Sequence, residues 1–367
     1  MHRALLILAM LTLWPVPAAL GQEATPAQVH VILFVPSDVQ PAPEACRRRI
    51  DEIVTYAEHF FRDGLRRWGH EDVVMPFRRG EDEKLEVMTL RGKHPTASYR
   101  PVPLRAEVMD ALRAQGRIGR QRQVWWIFVY PGEPPARFDG YLGGYGEEIG
   151  GWAISNLDTT PGRIDPRAPL GSDFLVKLML KGTLHELGHG LGLPHVGPMD
   201  ADDAGNTLMG PTHRNWRRVR GDRDKRVYLS EAEAAMLSLR PVFRGAPDPR
   251  GALPKAALGD VSLRAGEGGE GFVVRGRLES PSRAVYALVA DESDDRPGGY
   301  WSKTYVGRVE QGGTFTVRIT EPAPADGTLR IWFVFENGDQ TGDGRRRGYD
   351  GAVARRYVYE QERWRLE

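Results

Sequence analysis

The sequence predicts an α+β protein: a twisted mixed sheet with helices over residues 27–243, a linker at 244–255, and an all-β sandwich over 256–362. Three observations carry that expectation. Apolar strand-like and helix-like runs alternate through the first two thirds of the chain. A Pro- and Gly-rich break, RGAPDPRGALP, follows. Beyond it come only short runs separated by Gly, Pro and Asp, at the spacing of a sandwich.

Val29–Val35 (VHVILFV) is apolar almost throughout and reads as a buried strand, with a turn at Pro36-Ser37-Asp38. A helix fits 43–68, where Ile50, Ile53, Val54, Ala57, Phe60, Phe61 and Leu65 recur at helical spacing. Leu104, Val108 and Leu112, four apart, predict a second helix, and VWWIFVY at 124–130 a second strong strand. Residues 141–155 (YLGGYGEEIGGWAIS) alternate glycines with aromatics. Glycine there keeps side chains off a backbone that something else must approach; the short run Trp152–Ser155, with Trp152, Ala153 and Ile154, reads either as an edge strand able to accept an extended peptide or as part of a plain flexible loop. Ser230 and Glu233 form a capping box opening a helix at 230–239, which Pro241 stops. In the C-terminal part, strands are expected at 272–278, 285–290, 314–319, 329–335 and 353–359.

With 367 residues, 41% of them hydrophobic, the chain can bury a full core. Fifty basic and 49 acidic residues nearly cancel, so no global field favours nucleic acid or an anionic membrane, and no nucleic-acid partner is expected. His2 and Arg3 precede an apolar run from Ala4 to Trp14, then Pro15 and a small-residue stretch ending Ala19-Leu20-Gly21. The run is too short to span a bilayer, so 1–21 reads as a signal peptide cleaved before Gln22, giving a secreted or periplasmic protein with no integral membrane segment afterwards. Cys46 is the only cysteine, so packing or bound ions must replace disulfides.

The chemistry is concentrated in one stretch. His185-Glu186-Leu187-Gly188-His189-Gly190-Leu191-Gly192-Leu193-Pro194-His195 reads H-E-x-x-H-x-x-G-x-x-H. On a helix, positions four apart share a face, so His185 and His189 can offer nitrogens to one ion. Gly192 lets the chain leave the helix, Pro194 discourages its resumption, and the turn brings His195 to the third ligand position. Three neutral imidazoles leave the fourth position of a tetrahedral Zn2+ site open to water, whose pKa falls from 15.7 to roughly 7. Glu186, next to the first ligand, is placed to take the proton of that water as general base and to pass it to a leaving amine.

This motif resembles that of the metzincin zinc peptidases, whose catalytic domain also carries a methionine turn below the metal. Asn206-Thr207-Leu208-Met209-Gly210-Pro211 is similar to that turn, which makes Met209 the expected floor beneath the histidines. Its Leu-Met-Gly-Pro form is similar to the matrixin turn, and the resemblance implies that Pro211 belongs to the wall of the pocket for the residue after the scissile bond. The chain departs from related subfamilies twice. Cys46 lies inside a predicted helix rather than in a thiol latch, and Pro211 stands where astacin-like and serralysin-like enzymes carry a tyrosine. Tyr228 is the substitute helper the sequence offers.

The resemblance therefore implies a secreted zinc endopeptidase acting on a protein or peptide, which would lie along Trp152, Ala153 and Ile154. Two other functions fit the same residues: an adhesion or binding protein with a vestigial zinc site, and a zinc hydrolase of a non-peptide amide. Asp200, Asp202 and Asp203, and separately Asp339 and Asp343, are candidate Ca2+ ligands, although neither group has EF-hand spacing.

Overall fold

The structure is a computed structural model that describes residues 25–133, 138, 140–146, 150–221, 225–266, 271–295 and 299–367. The signal-peptide segment at 1–21 lies outside the described residues. Among the described residues no helix is long and apolar enough to cross a membrane.

The N-terminal part runs β1 (Val29–Val35), α1 (Glu44–Arg67), β2 (Val87–Arg91), α2 (Pro101–Ala114), β3 (Gln123–Val129), β4 (Leu142–Gly146), β5 (Gly150–Asn156), α3 (Asp173–Lys177) and α4 (Leu180–Gly190). It continues through β6 (Asn206–Thr207), α5 (His213–Arg220), β7 (Val227–Tyr228), α6 (Glu231–Ser238) and α7 (Pro241–Arg244). Five strands form one sheet in the order β2-β1-β3-β5-β4, parallel except for β4, which runs antiparallel to β5. A parallel sheet needs cover on both faces, which is why β1 and β3 are apolar on successive residues. Val29, Val31, Leu33, Trp126 and Phe128 pack with α1 and α4; Ile32, Phe34, Trp125 and Ile127 pack with α2.

The strand order corrects the expected edge. Trp152, Ala153 and Ile154 are buried in the interior strand β5, paired with β3 on one side and β4 on the other. The free edge on that side belongs to β4, whose residues are half-buried. The glycines of this region answer mainly to α4: a β-carbon on Gly151 would stand 1.6 Å from the Gly190 carbonyl oxygen, and one on Gly143 2.2 Å from the Glu186 carbonyl oxygen. The backbone that approaches them is the metal-motif helix itself.

The C-terminal part contains β8 (Ala257–Leu258), β9 (Ser262–Ala265), β10 (Phe272–Glu279), β11 (Ala284–Ser293), β12 (Lys303–Arg308), β13 (Thr314–Ile319), β14 (Gly327–Phe335), β15 (Gln340–Thr341), β16 (Val353–Glu360) and β17 (Arg363–Leu366). One antiparallel sheet is built on β13-β10-β8 with β9 beside β10, and the other on β12-β11-β14-β16-β17 with β15 beside β14. Phe272, Val274, Phe315 and Val317 of the first meet Ala287, Val289, Ile331 and Phe333 of the second. The second sheet is apolar on its other face as well. Tyr286, Leu288, Ala290, Trp332 and Val334 join the core that contains α1, α4 and α6. Because side chains alternate across a strand, runs such as VYALVA and RIWFVF are the mark of a sheet covered twice.

The segment at 244–255 is pinned between these parts. Asp248 is buried, accepts a hydrogen bond from Arg122 Nε (2.8 Å), and receives the Tyr145 hydroxyl of β4 (3.2 Å). The arginine-rich stretch after Pro211 forms α5, which the Thr212 side chain caps by accepting from Asn215 N (3.3 Å).

Candidate metal centre

Helix α4 supplies His185, Glu186 and His189 and ends in a Schellman motif. Gly192 sits at φ +89°, its N–H donates to His189 O (3.0 Å), and the N–H of Leu193 donates to Gly188 O (2.9 Å). That reversal carries the chain to His195. One ring nitrogen from each of His185, His189 and His195 lies within 4.8 Å of the others, and these three form the only such cluster among the described residues.

The same turn orients a ligand. His189 Nδ1 lies 2.9 Å from Leu193 O, and His185 Nδ1 lies 3.0 Å from Leu208 O. A carbonyl only accepts, so both Nδ1 atoms carry the proton and both Nε2 lone pairs are free for an ion. Burial holds His185 down at about 2 and His195 at about 4, and lowers His189 as well. All three rings are therefore neutral at pH 7, the form that ligates a metal. Three fixed neutral nitrogen donors suit Zn2+.

Glu186 is pushed up to about 7 by burial, against a Gly143 backbone hydrogen bond that pulls it down. The free-edge strand β4 thus runs beside the carboxyl group.

Met209 is fully buried, and a β-carbon on Gly188 would stand 2.4 Å from its sulfur. Two buried charged groups that the sequence did not single out for this role hold the segment. Glu233, which completes the capping box of α6 by accepting from Ser230 N (2.6 Å), also accepts from Met209 N (2.8 Å). Lys181, one turn before His185 on α4, donates to Gly210 O (3.1 Å) and Pro211 O (2.8 Å). Burial pushes Lys181 down to about 7 and Glu233 up to about 7. Pro211 itself is buried with its carbonyl so engaged. The cavity beside it is lined by its neighbours Gly210, Thr212 and His213.

Two hollows meet at the histidines. One, of about 590 Å³, is bounded by His185, Glu186, Tyr141, Met179, His213 and Tyr300. The other, of about 340 Å³, is bounded by His189, His195, Tyr145, Arg240, Arg347 and Tyr349. The sandwich therefore forms part of both walls. Tyr228 does not serve the centre: it is buried, its hydroxyl accepts from Met199 N (3.1 Å), and Arg67 lies over its ring at 5.4 Å. The aromatic ring at the histidines is Tyr300, stacked on His195 at 3.8 Å between centroids.

The calcium expectation finds no support. Asp200 pairs with Arg220 and Lys303, Asp203 with Arg226, Asp339 with Arg122 and Arg347, and Asp343 with Arg346. Carboxylates already neutralised by cations do not converge on an ion.

The fold and the site define a mixed α/β protein with a three-histidine centre suited to a metal ion. No protein-family model and no curated protein matches the sequence. Solved structures of OgpA from Akkermansia muciniphila do match the fold. Catalytically inactive OgpA in complex with an O-glycopeptide substrate (glycodrosocin) aligns with a TM-score of 0.66 and 20% identity, over 91% of this chain and 96% of that one. Wild-type OgpA aligns in two crystal forms. One gives a TM-score of 0.65 and 21% identity over 93% of this chain and 98% of that one; the other gives 0.64 and 20% over 90% and 96%. The shared fold thus takes in both the α/β part and the sandwich.

Proposed function

We propose that this chain is an exported, zinc-dependent endopeptidase of the metzincin type. One observation carries the proposal: two of three clustered histidines have their Nδ1 protons committed to backbone carbonyls, so their Nε2 atoms face a common point beside a half-buried glutamate. Further support comes from Met209 beneath the helix, and from the free edge of β4 running past Glu186. The fold shared with OgpA, which was crystallised with an O-glycopeptide, favours a peptide substrate. Export rests on the sequence of residues 1–21.

His185, His189 and His195 would hold zinc, which when bound makes water acidic enough to attack at neutral pH and polarises the scissile carbonyl. Glu186 takes a proton from the attacking water and delivers it to the departing amine. The raised pKa of its carboxyl suits both halves of that exchange. The extended substrate pairs through its backbone with β4, antiparallel to it, and β4 replaces Trp152, Ala153 and Ile154 as the substrate strand. The residue after the scissile bond enters the hollow lined by His185, Gly210 and Thr212.

The test uses a mixed peptide library supplemented with O-glycopeptides. Wild-type protein carrying one zinc per chain is expected to cut internal bonds. Glu186→Gln is expected to retain the zinc and lose at least about 10²-fold in kcat/KM. If the zinc-loaded wild type cleaves neither class of peptide, the peptidase assignment fails.

A further inference from the structure

Resting on the peptidase reading, we infer that the C-terminal sandwich supplies a catalytic residue: Tyr300 donates a hydrogen bond from its phenol to the oxyanion that forms on the scissile carbonyl. The reaction needs such a donor. When water adds to the carbonyl, its oxygen gains a full negative charge, and a neutral donor already in place stabilises it without reorganisation. The N-terminal part offers none in the usual position, since the residue two beyond Met209 is Pro211.

Three observations point to Tyr300. Its ring stacks on His195 at 3.8 Å with a 30° interplanar angle, and it lies 6.0 Å from the ring of His185. It shares a hollow with His185 and Glu186, and the residue remains 38% exposed. Its hydroxyl makes no hydrogen bond to any described residue, so among the described residues the donor is uncommitted. The other polar groups of that wall are poorer: Lys181 already donates to Gly210 O and Pro211 O, Tyr141 has a partner of its own, and His213 Nε2 is buried.

The backbone around Tyr300 is fastened to the stretch that follows His195. Gly197 N donates to Ser302 O (2.7 Å), and a β-carbon on Gly197 would collide with the Trp301 carbonyl at 2.5 Å. Trp301 stacks near Trp216 of α5 at 6.2 Å, and Lys303 Nζ donates to Asp200 Oδ2 (3.1 Å). Two of these ties, at Gly197 and Asp200, hold the segment against the stretch that follows His195, and a third, at Trp216, holds it against α5. The hydrogen bond involves no transfer: the proton stays on the phenol, and the water proton follows the Glu186 route to the leaving amine.

The experiment compares wild type, Tyr300→Phe and Tyr300→Ala in the full chain. Tyr300→Phe keeps the ring on His195 and removes only the donor. It is expected to hold one zinc per chain, to melt with wild type, and to lose about 10²-fold in kcat with KM within about twofold. Its affinity for a phosphinic peptide, whose charged oxygens mimic the oxyanion, should fall by a similar factor in calorimetry. Tyr300→Ala should lose zinc affinity in addition. Wild-type kcat in Tyr300→Phe, or loss of zinc from it, overturns the assignment and leaves Tyr300 a cover for His195. A wild type that binds zinc but cuts no peptide overturns the peptidase reading, and this inference with it.

Discussion

At the level of single residues, the centre combines groups whose burial makes them reactive and costly. Glu186 titrates at about 7 in the folded chain against an ordinary value near 4.5, because it is buried. A raised folded pKa means the native state holds the proton more tightly than the unfolded one. This contribution to stability is full below about pH 4.5 and is lost as pH rises through about 7. In protein stripped of metal, Glu186→Gln is therefore expected to raise the melting temperature at pH 8 and to change it little at pH 4.5. Loading zinc should shrink the gap, because the ion's charge favours the carboxylate. Thermal melts of the two proteins at both pH values decide the matter, and an equal gap at pH 4.5 and pH 8 would refute a buried, costly Glu186. The histidines and Glu186 were legible in the sequence because a helix converts four-residue spacing into one face. Lys181, Glu233 and Tyr300 were not. Glu233 showed only its capping role, and its second bond, to Met209 N, crosses between elements that sequence spacing does not connect. Tyr300 reaches the site only through the pairing of strands far downstream of the motif.

Among the elements, β1, α1, α2, β3, α6 and the main strands of the sandwich could be read from periodicity, since each buries a regular face. The short elements could not. β2 is a half-buried strand of five residues, and β12, which begins three residues after Tyr300, has no long apolar run. The edge was misplaced by one strand because glycines in a sequence show that something comes close without showing what; here it is α4. Helix α4 in turn depends on its end. Gly192 at φ +89° is strained for any side chain, so Gly192→Ala should cost roughly 1–2 kcal/mol in stability. It should weaken zinc binding as well, because the turn sets both His195 and the Leu193 carbonyl that orients His189. Gly151→Ala should act more severely on the metal, as its β-carbon overlaps the Gly190 carbonyl and would lever the helix away from the sheet. Zinc affinities measured by chelator competition should fall in that order, and an unchanged affinity in Gly151→Ala would mean that α4 is not seated by the sheet.

For the whole molecule, the important feature is the second sheet of the sandwich, buried on both faces. Its inner face closes the sandwich, and its outer face, with Leu288, Trp332 and Val334, closes the core under α1 and α6. Asp248 adds a buried ion pair from the joining segment to Arg122 at the start of β3. Two modules joined by a tether would unfold in two steps, whereas two parts that each complete the other's core should unfold together. The full chain is therefore expected to show one transition in calorimetry, coincident by tryptophan fluorescence and circular dichroism. Trp332→Ala, which removes a large side chain from the shared layer, should cost roughly 3–5 kcal/mol and lower that single transition without splitting it. A chain ended near Pro247 should lack a cooperative transition, since it exposes the apolar surface that Trp332 and Leu288 cover and leaves Arg122 without its partner. Two resolved transitions in the full chain would show instead that the sandwich folds alone. Tyr300 would then sit on a movable body, and the cleft would open and close with it.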